Sequence, residues 1–171
     1  YSMLARDDMV RRSFQAWIRA TPRSVDPYRE YARLLLQNGR PAAADSVIRQ
    51  AGIALGTTSS LEMELAQSRA ALGQWASAAV AWRGALAGSP DLDQAAAYSL
   101  AAVPDAARDS VRTTFLAPPV DVGARRALAE LEMSWGAPGD AWAALRDLRP
   151  DSTSVDAWLD FAARAVAEER W

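Results

Sequence analysis

Two pairs of carboxylates have the residue type that general acid–base catalysis requires. Glu62 and Glu64 lie two residues apart, as do Glu130 and Glu132. Paired carboxylates can divide the work of protonating a leaving group and activating water, provided that both face one substrate. On a helix, residues two apart point about 200° away from each other. The spacing therefore argues against a catalytic pair, and we expect these side chains to lie on solvated faces.

The residue types on which most active sites depend are missing. The 171-residue chain has no histidine or cysteine, and all 19 of its basic residues are arginine. It thus lacks the commonest general base, the thiolate and amine nucleophiles, and the soft metal ligands. Asp91-Leu92-Asp93 begins like a calcium loop, but Ala95 and Ala96 supply no side-chain oxygen, so we interpret the aspartates as helix caps. We predict a protein without catalytic residues, cofactor or metal.

Charge and hydropathy narrow the range of partners. The formal net charge of -2 gives no general attraction to nucleic acid or anionic lipid. The uncharged stretch 70–82 is too short to span a membrane and contains Gly73. We expect a protein or peptide partner, no nucleic acid, and no membrane span in this segment. The opening at Tyr1, without an initiator methionine, indicates a processed or excised piece of a longer protein, and the compartment stays open.

A repeated spacing organises the chain. A large apolar residue followed by alanine recurs as Tyr31-Ala32, Leu65-Ala66, Leu128-Ala129 and Phe161-Ala162. A glycine follows the first three of these alanines by seven residues, at Gly39, Gly73 and Gly136. Successive copies lie 33 or 34 residues apart, with room for one less regular copy in the middle. A period in this range indicates stacked helix pairs that bury their apolar faces against one another, so the fold class predicted is all-α.

Turn and cap residues divide the chain into helical units. We predict one helical-repeat domain over 1–171, with approximate units 1–24, 25–57, 58–91, 92–119, 120–153 and 154–171. Asp26 is expected to cap a helix, Ser59 and Glu62 to form a capping box, and Asp121 to cap a later helix. Four tryptophans at helical core spacing are expected to pack in the interior: Trp75, Trp82, Trp142 and Trp158.

The second copy resembles the tetratricopeptide repeat family. The matching residues are Leu65, Ala66, Gly73, Ala78, Trp82, Ala85 and Pro90. The resemblance covers nearly the whole chain and departs from the family in 92–119, which is short and lacks the turn glycine. It implies a right-handed α-solenoid of about four to five antiparallel helix pairs. It also implies a non-catalytic scaffold or assembly module that binds a protein or peptide segment, as part of a larger protein or complex.

This resemblance supplies the candidate partner-binding residues, because in that family the first helix of each pair lines a concave groove. The equivalent positions here are Arg29, Arg33, Gln37, Met63, Gln67, Arg126, Glu130 and Met133. Glu64 stands where the family's carboxylate-gripping branch needs asparagine, so that binding mode is not expected. Arginine with methionine suits a mixed acidic and hydrophobic segment. Trp135, just before a turn, and Trp171, at the end of the sequence, form an alternative contact surface.

Two other classes of function stay open from the residues alone. One is an enzyme or ligand-sensing helical domain that uses only carboxylates and arginines. The other is a helical repeat that reads RNA, since such repeats have a similar period. RNA recognition needs a basic groove, and the mildly acidic charge of this chain does not favour one.

Overall fold

The computed structural model describes residues 2–168, with side chains from residue 8 onwards. Helices joined by short turns make up this part of the chain, and it contains no strand. The predicted all-α fold class is therefore confirmed. The chain divides into two compact units, residues 1–72 and 73–171, which we describe in turn.

The first unit holds four α-helices in chain order. They are α1 (Ser2–Ala20), α2 (Asp26–Gln37), α3 (Pro41–Leu55) and α4 (Glu62–Ala71), and a 3₁₀ turn at Ser59–Leu61 precedes α4. α2 packs on α3, α3 packs on α4, and α1 lies against α2. Phe14 of α1 stacks on Tyr31 of α2 with ring centroids 4.7 Å apart. The core is formed by Tyr28, Ala32, Leu35, Ala44, Val47, Ile48, Ala51, Leu61, Leu65 and Ala66.

The second unit holds the remaining described helices. They are α5 (Trp75–Gly88), α6 (Asp93–Leu100), α7 (Asp105–Leu116), α8 (Val122–Ser134), α9 (Pro138–Leu145) and α10 (Ser152–Ala167), and a 3₁₀ turn at Pro90–Leu92 precedes α6. α5 packs on α7, α6 on α8, and α8 on α9, while α10 lies against α9 and α8. Its largest buried side chains include Trp82, Leu86, Leu100, Phe115, Leu128, Leu131 and Met133. No helix in 2–168 has the length and apolar character needed to cross a membrane.

The same turn ends α2 in the first unit and α8 in the second. Gly39 and Gly136 have φ values of 67° and 79°, which a residue with a Cβ adopts only at a cost. The glycine N–H donates to Leu36 in one turn and to Met133 in the other, and the next N–H donates to Leu35 or Glu132. This pattern satisfies carbonyls that the helix end leaves unpaired. Gly73 also has a positive φ, 71°, so all three glycines that follow the repeated alanines by seven residues share this conformation.

The helix starts agree only partly with the predicted caps. Asp121 caps α8 as expected, because its Oδ1 accepts from the backbone N–H of Ala124 at 2.7 Å. The other capping predictions were wrong. Asp26 is already the first residue of α2, and its carboxylate accepts from the Ser24 hydroxyl. Ser59 begins the 3₁₀ turn, and this inserted turn places Glu62 first in α4 instead of three residues into the helix.

One arginine holds the carboxyl end of α7. Arg83 of α5 donates to the carbonyl oxygens of Thr114, Ala117 and Pro119 at 3.1, 2.6 and 2.8 Å. The helix cannot continue through Pro118 and Pro119, so its last carbonyls need donors from elsewhere. The guanidinium has several N–H groups fixed in one plane, which lets a single side chain serve all three oxygens.

The four tryptophans predicted to lie in the core differ in their burial. Trp82 is fully buried, as predicted. Trp75 and Trp158 are half-buried, and the Trp158 indole donates to the Leu145 carbonyl at 2.8 Å. Trp142 is exposed, so the interior placement was wrong for this residue. Its ring stacks on Phe161 at 5.7 Å and covers the junction of α9 with α10 from outside, where helical spacing alone cannot distinguish an inner from a peripheral position.

Candidate functional site

A groove of about 400 Å³ lies between α8 and α10 in the second unit, with a wall contributed by the start of α6. Its apolar lining is Ala129, Met133, Leu145, Ala157 and Phe161, and its polar lining is Asp93, Gln94, Arg126, Glu130, Asp160 and Arg164. The α8 and α10 contributors are spaced three or four residues apart, so each set lies on one helix face. Three predicted partner-binding residues, Arg126, Glu130 and Met133, come together here.

Ion pairs at this groove join neighbouring helices. Arg126 of α8 pairs with Asp93 of α6, with 2.8 Å between Nε and Oδ2, and the Asp93 side chain is buried. Glu130 of α8 pairs with Arg164 of α10, which also binds Glu168. Each arginine that lines the groove is therefore already matched by a carboxylate. Asp160 has no ion-pair partner among residues 2–168, so the groove keeps one unmatched negative charge.

In the first unit, two further predicted binding residues meet on one buried acid. The Nε atoms of Arg33 and Arg29, both on α2, lie 2.9 and 3.9 Å from Oε1 of Glu64 on α4. Arg29 also donates to the Ser60 carbonyl at 2.9 Å, and Arg33 contacts Glu30. Both arginines thus link α2 to α4, in addition to being partly accessible to solvent.

The expectation that the glutamate pairs lie on solvated faces was wrong for two of the four residues. Glu64 and Glu132 are each only 1% exposed. Glu132 accepts two hydrogen bonds from Arg112 of α7, at 2.5 and 2.8 Å, and this carboxylate raises the pKa of the Arg112 guanidinium above its ordinary value. A buried carboxylate is tolerable when it is paired in this way. Glu62 stays partly exposed, and partial burial raises its pKa.

The remaining predicted residues lie elsewhere. Met63 and Gln67 are half-buried on α4, and Gln37 is exposed at the end of α2. Trp135 is half-buried beneath the guanidinium groups of Arg108 and Arg112, whose central carbons lie 4.8 and 5.6 Å from its ring centroid. Two cations stacked on one indole give this residue a packing role within the unit. Trp171 lies outside the described residues.

The sequence reasoning missed the acidic and basic partners that complete the groove: Asp93, Asp160 and Arg164. A signal for two of them exists in the sequence. Arg164 follows Glu130 by 34 residues, Arg126 follows Asp93 by 33, and Glu64 follows Arg33 by 31. Opposite charges separated by about one repeat length therefore mark the pairs that join every second helix: α2 to α4, α6 to α8 and α8 to α10.

The described residues hold no group of three or more acidic side chains that could bind a metal ion. No protein-family model matches the chain, and neither the curated proteins nor the solved structures include a significant match to it.

Proposed function

We propose that this protein is a non-catalytic helical-repeat module that binds a segment of another protein through the groove between α8 and α10. The observation that carries the proposal is an apolar floor bordered by charges whose positions are already fixed. Phe161 is the partly exposed apolar residue of this floor, beside the buried Ala129 and Ala157, while the Arg126–Asp93 and Glu130–Arg164 pairs hold the flanking helices together. A groove ordered before binding loses little conformational entropy when its ligand arrives.

The charge of the groove suggests which segment it accepts. From the sequence alone, arginine and methionine at positions such as Arg126 and Met133 predicted a mixed acidic and hydrophobic ligand, and the structure adds Arg164 to the groove lining. Because both cations are paired in the structure, their attraction for an added carboxylate is largely offset. Asp160 is exposed, and its charge is not matched in the described part of the chain. We therefore expect a segment in which an arginine or lysine lies next to apolar side chains.

Similarity to tetratricopeptide repeats supports a scaffold role and would place the groove on the concave side of a right-handed solenoid. Supporting features are the turn glycines with positive φ and the buried alanines Ala32, Ala66 and Ala129. These alanines let helix backbones approach closely, as repeat stacking requires. An enzyme is not favoured, because the carboxylates in the groove are either paired or solitary.

Peptide selection tests the proposal. Purified protein is used to select from a library of random 12-residue peptides on phage, and selected peptides are measured by fluorescence polarisation. We expect enrichment of arginine or lysine beside apolar residues. Asp160→Arg should weaken binding about tenfold or more, since reversing one exposed charge removes an attraction and adds a repulsion of roughly 1.4 kcal/mol together. The matched control is Asp156→Arg, one turn away on α10 and not part of the groove lining.

Circular dichroism must show unchanged helicity in both variants. Equal binding by Asp160→Arg and the control would remove the groove from consideration, and selection of acidic peptides would overturn its charge preference. Substrate panels for hydrolase and transferase activity provide a separate check. Turnover lost on a single carboxylate substitution would replace the scaffold proposal with an enzymatic one.

A further inference from the structure

Helix α10 has an apolar face that no described residue covers. Val155, Leu159, Ala162 and Val166 are spaced four, three and four residues apart, so they share one side of α10. All four are exposed, Leu159 to 62% and Val166 to 53%. The buried residues of the helix, such as Ala157 and Ala165, point instead toward α8 and α9. We refer to these four residues as the α10 stripe.

The equivalent positions one repeat earlier show which kind of surface the stripe corresponds to. Moving back 33 residues from the stripe leads to Val122, Arg126, Ala129 and Met133 of α8. Arg126, Ala129 and Met133 line the groove of which α10 forms the opposite wall. The corresponding side of α8 thus faces α10. On α10 the same side is wholly apolar, and leaving it in water is unfavourable.

We propose that the α10 stripe binds helix α1 of a second copy, so that the protein associates head to tail. The four residues of the stripe lie outside the peptide groove, and only the neighbouring Asp160 belongs to the groove lining. On α1, Met9, Ser13, Ala16 and Ala20 repeat the four, three, four spacing of the stripe, and all are exposed. The first three of them line a shallow depression on the helix surface. Small side chains there leave space for Leu159 and Val166 to pack.

Charge favours this pairing over two α10 helices packed on each other. Asp156 and Asp160 lie beside the stripe, and neither forms an ion pair with any side chain in 8–168. Arg12 and Arg19 of α1 are exposed and equally unpaired within that range. An α1–α10 contact brings these cations close to the carboxylates, whereas an α10–α10 contact brings four carboxylates together. A contact between two different surfaces also propagates, which gives chains or closed rings of copies.

Sedimentation velocity of the intact chain over a concentration series tests the association. The average mass of the wild-type protein should rise with concentration. Leu159→Asp should keep the protein monomeric across the series, because it puts a charge in the apolar contact. Ile53→Asp is the matched control, since Ile53 is 87% exposed on α3 and lies outside both surfaces. A wild-type protein that stays monomeric at every concentration would overturn the proposal, as would equal effects of the two variants.

A charge exchange identifies the partner surface. Arg12→Glu/Arg19→Glu and Asp156→Arg should each weaken self-association about tenfold. A mixture of the two variants should associate more strongly than either alone, because opposite charges then face each other again. Association sensitive to Leu159→Asp but indifferent to the α1 changes would show an α10–α10 contact and reject α1. None of these changes is in the groove lining, so peptide binding should persist in all of them.

Discussion

The two units pair their buried acids in different ways. In the first, one carboxylate, Glu64, receives two arginines from α2, and both arginines keep other partners or water. In the second, each buried acid receives one arginine, Asp93 from Arg126 and Glu132 from Arg112, and the pair of Arg112 with Glu132 is bidentate. The acid is almost fully buried in both cases, and Arg112, like the two arginines of α2, also binds a carboxylate of its own helix, Asp109.

Equivalent positions even carry opposite charges. Arg33 directly follows Ala32, and Glu130 directly follows Ala129, so the two share a place in the repeat. Each pairs with a residue on the helix that follows in the stack, Glu64 for Arg33 and Arg164 for Glu130. The feature common to both units is complementarity across the helix interface, while the sign on each side is free to change. A charged residue at this position is therefore no direct sign of a binding surface.

Removing the buried glutamate should give the largest difference in stability between the two units. Glu132→Ala removes the bidentate partner of Arg112, whose side chain is 31% exposed and which then keeps only Asp109 as a carboxylate partner, and should cost roughly 2–4 kcal/mol. Glu64→Ala should cost about 1–2 kcal/mol, because Arg33 is 42% exposed and Arg29 keeps the Ser60 carbonyl. Urea unfolding at pH 7 measures both. Equal losses would show that the difference in pairing has no energetic meaning.

Enlarging the alanine that follows the large apolar residue tests whether burial at this position is shared. Ala66→Leu in the first unit and Ala129→Leu in the second should each cost about 1–3 kcal/mol, because both sites are tightly packed. Ala162 has the same place in the repeat but is exposed on α10. Ala162→Leu should therefore change stability by less than about 0.5 kcal/mol. If its urea midpoint falls as far as the others, the proposed register is wrong at α10.

The turn glycines should show no difference between units. Gly39→Ala and Gly136→Ala should each cost about 1–2 kcal/mol, because an added Cβ meets no atom within 4 Å and only the positive φ opposes it. Gly139 in α9 has equally open surroundings but lies within a helix, so Gly139→Ala should stabilise by roughly 0.5–1 kcal/mol. Thermal unfolding followed by circular dichroism distinguishes these signs. A neutral Gly136→Ala beside a costly Gly39→Ala would mean that the two turns differ.

The smallest effect concerns the cap of α10. The backbone N–H of Ser154 donates to Asp151 at 2.8 Å, and this hydrogen bond lowers the pKa of the Asp151 carboxyl. A lowered pKa means that the contribution to stability is present above the unfolded value, about 3.9, and is lost as the pH falls through the folded value. Asp151→Asn can still accept the bond but does not titrate. Its stability should therefore depend less on pH between 2 and 5, as measured by urea midpoints and by NMR titration of the wild-type carboxyl.

Local signals in the sequence predicted some of the features that depend on near neighbours, although the caps expected at Asp26 and Ser59 were wrong. The turns at Gly39 and Gly136 and the cap at Asp121 involve residues within five positions, so spacing and residue type sufficed. The burial of Glu64 and Glu132 was missed because their cations lie 31 and 20 residues away. When no cation lies nearby in the sequence, a glutamate is expected to be exposed to solvent. The repeat spacing predicted the groove residues on α8, but it did not predict those on α10.

The clamp of Arg83 on the end of α7 has a consequence for behaviour in alkali. A lysine at this place would begin to lose its proton near pH 10, and its single nitrogen could not span the three oxygens as a planar fork does. A guanidinium stays protonated beyond about pH 12. Because every side-chain cation in the chain is arginine, the contacts that fasten α7 and join the helices should persist in strongly alkaline solution. Reagents that label or cross-link lysine amines should also leave all of these arginine side chains unmodified.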